Sequence, residues 1–149
     1  MSSFNKRAFR FAVIAEHMTT AGAWRSLAQR AETLGYNTLL IRDHFIAESF
    51  GYQFAPFSAL MAAAAVTTRL RIGTMVIGND YRHPVMLAKE AATLDLLSGG
   101  RFELGLGAGW MRNEYLQAGM RYDPPGVRIE RLAEAAEFRL GVDGMDVEP

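Results

Sequence analysis

The stretch "RFELGLGAGW", residues 101–110, places three glycines at alternate positions at the end of an alternating apolar run. A dinucleotide-binding turn requires G-x-G-x-x-G between the first strand of a domain and the helix that follows it. Here Trp110 stands where the last glycine of that motif belongs, and the stretch follows a late apolar run instead of the first one. The stretch therefore predicts a buried strand whose small residues let a wide ligand approach the backbone.

Outward from this stretch, runs with strand character alternate with stretches of helical spacing. The predicted strands are residues 9–15, 37–41, 70–77 and 101–107, and the predicted helices are 21–34, 56–68, 84–97 and 124–138. Strand followed by helix, four times over, predicts parallel strands joined by right-handed crossovers. Two architectures fit: a small doubly wound sheet, and the first half of a (β/α)8 barrel, which as a whole needs about 250 residues.

Composition excludes several classes of protein. Sixteen basic and 16 acidic residues balance, so no basic field is available for nucleic acid or for an anionic membrane surface. No apolar run approaches the length of a membrane span, and the absence of cysteine excludes disulfides and thiolate metal sites. We expect a cytoplasmic protein with one α/β domain over residues 1–140 and an irregular tail over 141–149.

Polar residues that can do chemistry follow each predicted strand, at the edge where active sites of parallel α/β folds collect. All three histidines are among them. These residues are Glu16 and His17; Arg42, Asp43 and His44; Asn79, Asp80, Tyr81, Arg82 and His83; and Trp110, Arg112, Asn113 and Glu114.

Each of these residues also has a structural interpretation. His44 fits a catalytic role or a hydrogen bond to a neighbouring loop, and Asp43 fits a brace for His44 or a helix cap. Arg82 fits a solvent-facing position at a helix start or an anion site there. Trp110 is expected to pack in the interior. The sequence has no HxH or HExxH spacing, so no metal site is predicted.

The combination of "DHF" at 43–45, "RHP" at 82–84 and "LSGGRFELGLGAGW" at 97–110 resembles the bacterial luciferase-like monooxygenase superfamily, especially its oxidoreductases that use the deazaflavin coenzyme F-420. The resemblance covers about residues 9–137 and corresponds to the N-terminal half of the family's fold. It implies a (β/α)8 TIM-barrel fold truncated to about four β/α units, with parallel strand order 1-2-3-4.

The resemblance also implies a cofactor, a reaction and site residues. The cofactor expected is coenzyme F-420, with FMN as the alternative. The reaction expected is hydride transfer to or from a small organic substrate by a dehydrogenase or reductase, or a monooxygenase reaction with O2. The resemblance implies Asp43 and His44 as the active-site pair, in which Asp43 either contacts the cofactor or fixes the His44 tautomer. Met75 and Val76 are implied as a bulge with a cis peptide bond against the cofactor ring. Gly107 and Asn113 are implied to lie beside the cofactor. A carboxylate of the family's sugar-phosphate dehydrogenases is replaced by Trp110, which argues against that substrate class.

A half-barrel leaves parallel strand edges without partners. We therefore expect a homo-oligomer or a complementing chain. Two alternatives stay open at this point: a non-catalytic relic or interaction module of the same fold, and an unrelated doubly wound domain that binds a phosphorylated ligand.

Overall fold

The computed structural model describes residues 9–48 and 50–137, so the tail predicted over residues 141–149 lies outside the described residues. Strands and helices alternate along the chain. They are β1 (Ala12–Ala15), α1 (Ala21–Thr33), β2 (Thr38–Ile41), α2 (Pro56–Ala64), β3 (Arg71–Thr74), β4 (Ile77–Gly78), a 3-10 turn (Asn79–Tyr81), α3 (Pro84–Leu97), β5 (Phe102–Glu103), β6 (Leu106–Gly107), α4 (Arg112–Gln117) and α5 (Pro125–Glu137).

The strands lie side by side in chain order. One sheet has the order β1-β2-β3-β5, and β4 pairs with β6 just beyond it; every pairing is parallel. A doubly wound sheet would reverse its direction at a switch point, and this order does not. The prediction of four β/α units of a (β/α)8 barrel is confirmed.

Two predicted strands are each interrupted. The strand predicted over 70–77 breaks at Met75-Val76, whose peptide bond is cis, and the strand over 101–107 breaks at Leu104 and Gly105. The side chain of Thr74 spans the break, because its Oγ1 accepts from the Gly105 N–H at 2.9 Å and donates to the Gly105 carbonyl at 3.0 Å. A Cβ at Gly105 would lie 2.4 Å from the Thr74 carbonyl oxygen, so only glycine fits there.

The first strand is shorter and more exposed than predicted. It spans Ala12–Ala15 instead of residues 9–15, and Phe9 and Phe11 are 90% and 67% exposed. A nearly continuous apolar run such as residues 9–15 is typical of a strand buried on both faces, and that expectation is wrong here. Among the described residues β1 pairs with β2 alone and forms an edge of the sheet, and Phe9 and Phe11 lie before its first residue.

The helices begin where the sequence predicts and mostly end there. Thr20 caps α1 by accepting the Ala23 N–H at 3.1 Å, and Gly35 follows its end with φ +83°. Pro84 occupies the first turn of α3. The second helix ends at Ala64 instead of 68, and the short helix α4 was not predicted, since six residues carry too little periodicity to detect.

The core lies between the sheet and helices α1 and α2. Trp24 is 4% exposed, and its Nε1–H donates to the Ala59 carbonyl at 2.7 Å, which joins the two helices. Alanines on both helices permit close approach to the strands. The buried apolar residues at this centre are Trp24, Ala28, Ala31, Leu39, Ile41, Ala59, Leu60, Ala63 and Ile72.

At the amino end of the sheet, two charged side chains hold the segment before β3: Glu32 of helix α1 and Arg101, the residue before β5. The carboxylate Oε1 of Glu32 accepts the backbone N–H groups of Thr68, Arg69 and Leu70 at 2.9, 2.6 and 2.8 Å. The guanidinium of Arg101 donates to Ser98 O, Leu70 O, Ala64 O and Thr67 Oγ1 at 2.7 to 3.0 Å. Within the described residues, no helix is long and apolar enough to cross a membrane.

Candidate active site

The carboxyl ends of the strands meet at the buried carboxylate of Glu114 on α4. Glu114 is fully buried, and its Oε1 accepts the backbone N–H groups of Phe45 and Ile46 at 2.8 and 3.3 Å. Its Oε2 lies 2.9 Å from His44 Nδ1 and accepts from the Tyr81 hydroxyl at 3.0 Å. One carboxylate therefore fixes the loop after β2, the turn after β4 and helix α4 relative to one another.

This contact orients the ring of His44. It pairs Nδ1 with a carboxylate oxygen of Glu114, which favours the tautomer with the proton on Nδ1 and places Nε2 on the side of the ring away from Glu114. The side chain is 12% exposed, and Phe50 stacks against it at 4.7 Å between ring centroids with an interplanar angle of 30°. His44 is thus held by Glu114 and Phe50 and stays partly accessible at the carboxyl end of the sheet.

Asp43 makes a different set of contacts from the one expected. Its side chain is buried; Oδ2 accepts the Gly78 N–H at 3.1 Å, and both oxygens take the guanidinium of Arg82, with Oδ1 to Nη2 at 3.0 Å. The prediction that Asp43 fixes the His44 tautomer is wrong, because Glu114 occupies Nδ1. The solvent-facing position considered for Arg82 is also wrong, because its guanidinium forms a bidentate pair with the buried carboxylate of Asp43.

The two tyrosines around this cluster stay protonated. Burial, then the charge and hydrogen bond of Glu114, raise the pKa of Tyr81 far above its usual range. Burial and the hydrogen bond to Asp80 likewise raise the pKa of Tyr115, whose hydroxyl donates to Asp80 Oδ2 at 3.0 Å. Tyr81 therefore remains a hydrogen-bond donor to Glu114 throughout the physiological pH range.

Met75 and Val76 form an apolar bulge at the same end of the sheet. Their exposed fractions are 50% and 43%, and the peptide bond between them is cis, as the resemblance implied. A Cβ at Gly107 would lie 2.5 Å from Val76 Cγ2, so Gly107 makes room for the bulge itself. The bulge offers a ligand a small apolar surface whose shape depends on the two flanking glycines, Gly105 and Gly107.

Asn113 lies exposed on α4, directly before Glu114, and its Nδ2 donates to Glu48 Oε2 at 3.1 Å. Together with His44, Asp43, Met75, Val76 and Gly107 it belongs to the carboxyl ends of the strands, as predicted. The contact of His44 is with Glu114, which the sequence marked only as one polar residue of several after the last strand. No spacing signal could have singled it out, because the two residues are 70 positions apart.

Trp110 does not pack in the interior as expected. Its side chain is 62% exposed, and its ring lies edge-on to His44, with centroids 6.3 Å apart and an interplanar angle of 83°. Over residues 9–48 and 50–137, no group of three or more His, Cys, Asp or Glu side chains is arranged to hold a metal ion.

Comparison with known proteins places this arrangement in a family. The family model described as luciferase-like monooxygenase matches residues 8–144, and the chain belongs to that family. It is 38% identical over 116 residues to 4-hydroxyprotoasukamycin monooxygenase of Streptomyces nodosus, covering 76% of this chain and 30% of the relative. It is also 38% identical over 114 residues to an F-420-dependent glucose-6-phosphate dehydrogenase of Kribbella flavida, covering 74% of this chain and 34% of the relative.

Solved structures give the same assignment of the fold. A monooxygenase from Streptomyces bottropensis superimposes with a TM-score of 0.75 at 28% identity, covering 87% of this chain and 41% of that one. The coenzyme F-420-dependent tetrahydromethanopterin reductase of Methanopyrus kandleri superimposes with a TM-score of 0.68 at 23% identity, over 84% of this chain and 38% of that one. The chain thus spans about a third of the length of these curated relatives and somewhat more of the solved ones.

Proposed function

We propose that this chain provides the ring-binding and proton-handling part of an oxidoreductase site that uses coenzyme F-420, with FMN as the alternative. The observation that carries the proposal is the His44–Glu114 pair at the carboxyl end of the sheet, the end that also carries the exposed Met75-Val76 bulge. Relatives named above use F-420, and a structure of the same fold contains FMN.

The residues present fit the tricyclic ring of such a group. Met75 and Val76 offer an exposed apolar surface. Because Gly105 and Gly107 have no side chains, nothing at those positions obstructs this bulge. When bound, a flavin or deazaflavin supplies hydride acceptance or donation. The bulge and Asn113 would hold the ring, and Asp43 would act indirectly by keeping Arg82 and the Gly78 backbone in place.

His44 would handle the substrate proton. Its Nε2 is positioned to take a proton from a substrate hydroxyl as hydride leaves the carbon, or to return it in reduction. The carboxylate of Glu114 would stabilise the resulting imidazolium, as carboxylates do for catalytic histidines. Tyr81 would keep that carboxylate in place by its hydrogen bond.

The phosphate-bearing part of the cofactor requires further groups. Arg82 is held by Asp43, and Arg131 is held by Asp80 and Asp123 at 3.0 and 2.8 Å. Because these arginines are already paired, we propose that groups beyond the described residues hold the phosphate, as expected of the last units of a TIM barrel. The substrate in this proposal is a small organic molecule, and a cytoplasmic location stays a prediction.

The test is a titration of the whole chain with oxidised F-420 and, separately, FMN, followed by absorbance and cofactor fluorescence. We expect a spectral change on binding to the wild type and to His44→Gln, with substrate-dependent oxidation or reduction of the ring reduced by about 10²–10⁴ in His44→Gln. His83→Asn is the matched control, since it changes a histidine at the same end that caps α3. No spectral change with either cofactor at millimolar concentration would overturn the proposal.

We also propose that the chain associates with a second copy or with a complementing chain. Within the described part of the chain, β1 pairs only with β2 and β5 only with β3, and Phe9 and Phe11, directly before β1, are exposed. Paired edges would cover this apolar surface. Sedimentation velocity should show a dimer or larger species that Phe11→Lys weakens; a folded monomer at high concentration would contradict the proposal.

A further inference from the structure

We propose that the exposed indole of Trp110 is a stacking surface for the substrate, and that the substrate is a planar aromatic compound with a hydroxyl or carbonyl group within reach of His44. This inference rests on the function proposed above, since it assigns the substrate class of the same site.

The backbone around Trp110 is fixed, while its side chain is open. The Tyr122 hydroxyl donates to the Trp110 carbonyl at 3.0 Å. Gly109, with φ +73°, lies so close to Tyr115 that a Cβ there would be 1.9 Å from the tyrosine hydroxyl oxygen. The indole is 62% exposed on a constrained turn and lies beside His44, so a ligand at His44 would meet it without rearrangement of the turn.

The indole also lies next to the proposed proton carrier. Its centroid is 6.3 Å from that of His44, within the usual range for aromatic neighbours. Since Nδ1 of His44 is held by Glu114, a ring stacked against Trp110 would find Nε2 as the nearby free hydrogen-bonding atom. A hydroxyl or carbonyl on that ring would satisfy it.

The charges around His44 do not favour an anionic substrate such as a sugar phosphate. Arg42 is paired with Glu16 at 2.9 Å and lies 4.1 Å over the ring of Phe50. Arg82 is held by Asp43. Both arginines are therefore paired with carboxylates, and the exposed groups at this end include apolar and aromatic side chains beside the polar pair Asn113–Glu48. Phe45 and Met75 are half exposed at the same end of the sheet.

The test uses the two tryptophan indole N–H signals in a ¹⁵N-labelled sample of the whole chain. Trp24 is buried with its N–H bonded to Ala59, and Trp110 is exposed, so one signal serves as an internal control for the other. On titration with 4-hydroxybenzaldehyde, we expect the Trp110 signal to shift and the Trp24 signal to stay. Glucose 6-phosphate at the same concentrations should move neither signal.

Substitutions of Trp110 distinguish aromatic stacking from simple filling of space by a large side chain. Affinity for 4-hydroxybenzaldehyde, measured by calorimetry, should fall about three- to tenfold in Trp110→Leu, which corresponds to the loss of one aromatic pair. Trp110→Phe should stay within about twofold of the wild type because it keeps an aromatic face. The Trp24 signal reports that each variant is folded.

Several results would overturn the inference: a shift caused by glucose 6-phosphate instead of the phenol, equal affinity in Trp110→Leu, or a Trp110 shift produced by FMN alone and unaffected by the phenol. The test needs no cofactor, so its failure is distinct from that of the proposed function. If the phenol binds and no cofactor does, the substrate surface stands without the oxidoreductase. If a cofactor binds and the phenol does not, the oxidoreductase stands and Trp110 has another role.

Discussion

The two ends of the parallel sheet each contain a glutamate that accepts several hydrogen bonds, but the partners differ in kind. At the amino end, the partners of Glu32 among the described residues are the backbone N–H groups of Thr68, Arg69 and Leu70. At the carboxyl end, Glu114 accepts two backbone N–H groups and, in addition, contacts the side chains of His44 and Tyr81.

A carboxylate that accepts backbone N–H groups therefore occurs at both ends of the sheet in two different surroundings. Backbone partners cannot take up or release protons, so the contacts of Glu32 hold the loop before β3 to helix α1 and do nothing else. Glu114 holds a loop in the same way and also contacts the imidazole of His44. In (β/α)8 proteins the amino end contributes stability and the carboxyl end carries chemistry, and under the proposed function these two glutamates would divide along the same line.

The largest expected effect is that of Glu114→Ala. The change leaves two backbone N–H groups, the Tyr81 hydroxyl and His44 Nδ1 without a buried acceptor, so the free energy of unfolding should fall by about 3 kcal/mol or more. Urea denaturation followed by circular dichroism measures it. Glu114→Gln keeps an acceptor for Phe45 and Ile46 and should lose less, yet it should impair proton transfer by His44. A loss below about 1 kcal/mol in Glu114→Ala would contradict the central role assigned to this carboxylate.

Arg101→Met, at the amino end, should cost about 2 kcal/mol, because it leaves several carbonyl groups without their donor. The same urea experiment measures it, with Arg101→Lys, which keeps the charge and some of the contacts, as the milder control. The distinguishing result is at the other end: the folded Arg101→Met protein should keep the wild-type position of the Trp110 indole signal. A shifted Trp110 signal would mean that the amino and carboxyl ends of the sheet are structurally coupled, which would contradict the separate roles assigned to them.

Sequence periodicity was sufficient for the class of fold but not for its strand order. Four apolar runs separated by helical stripes predicted parallel strands joined by helices, and the family resemblance implied the order 1-2-3-4. Helix ends were marked by local chemistry that needs no distant partner, at Thr19 or Thr20, at Gly35 and at Pro84. The exposure of β1 could not be predicted in this way, because a fully apolar run looks the same whether or not a neighbouring strand covers it.

The site was only partly predictable, for a related reason. The local sequence shows that Asp43 and His44 follow a strand. Their side-chain partners, Arg82 and Glu114, are 39 and 70 positions away along the chain. Periodicity carries no information about which of several carboxylates a loop will reach. The prediction of a cis peptide bond at Met75-Val76 came from the family resemblance, since the residue types alone do not indicate it.

The smallest effect, and the sharpest test of the division, is the pH dependence of Glu32. Burial alone would raise its pKa, but the three backbone N–H groups lower it below the ordinary value of 4.5. A carboxylate whose pKa is lower in the folded state stabilises the fold above its unfolded pKa and loses that contribution as pH falls through the folded pKa. Glu32→Gln should therefore cost about 1 kcal/mol near neutral pH, and the difference from the wild type should shrink as pH drops below about 4.5.

The measurement is urea denaturation of both proteins across that pH range, with Glu130→Gln on the exposed face of α5 as the matched control. The control should match the wild type within about 0.5 kcal/mol at every pH, as ordinary surface substitutions do. A difference for Glu32→Gln that stays constant down to pH 3 would mean that the neutral amide and the carboxylate differ by shape alone. In that case the amino-end contact would be steric in origin, and the comparison between the two glutamates would rest on Glu114 only.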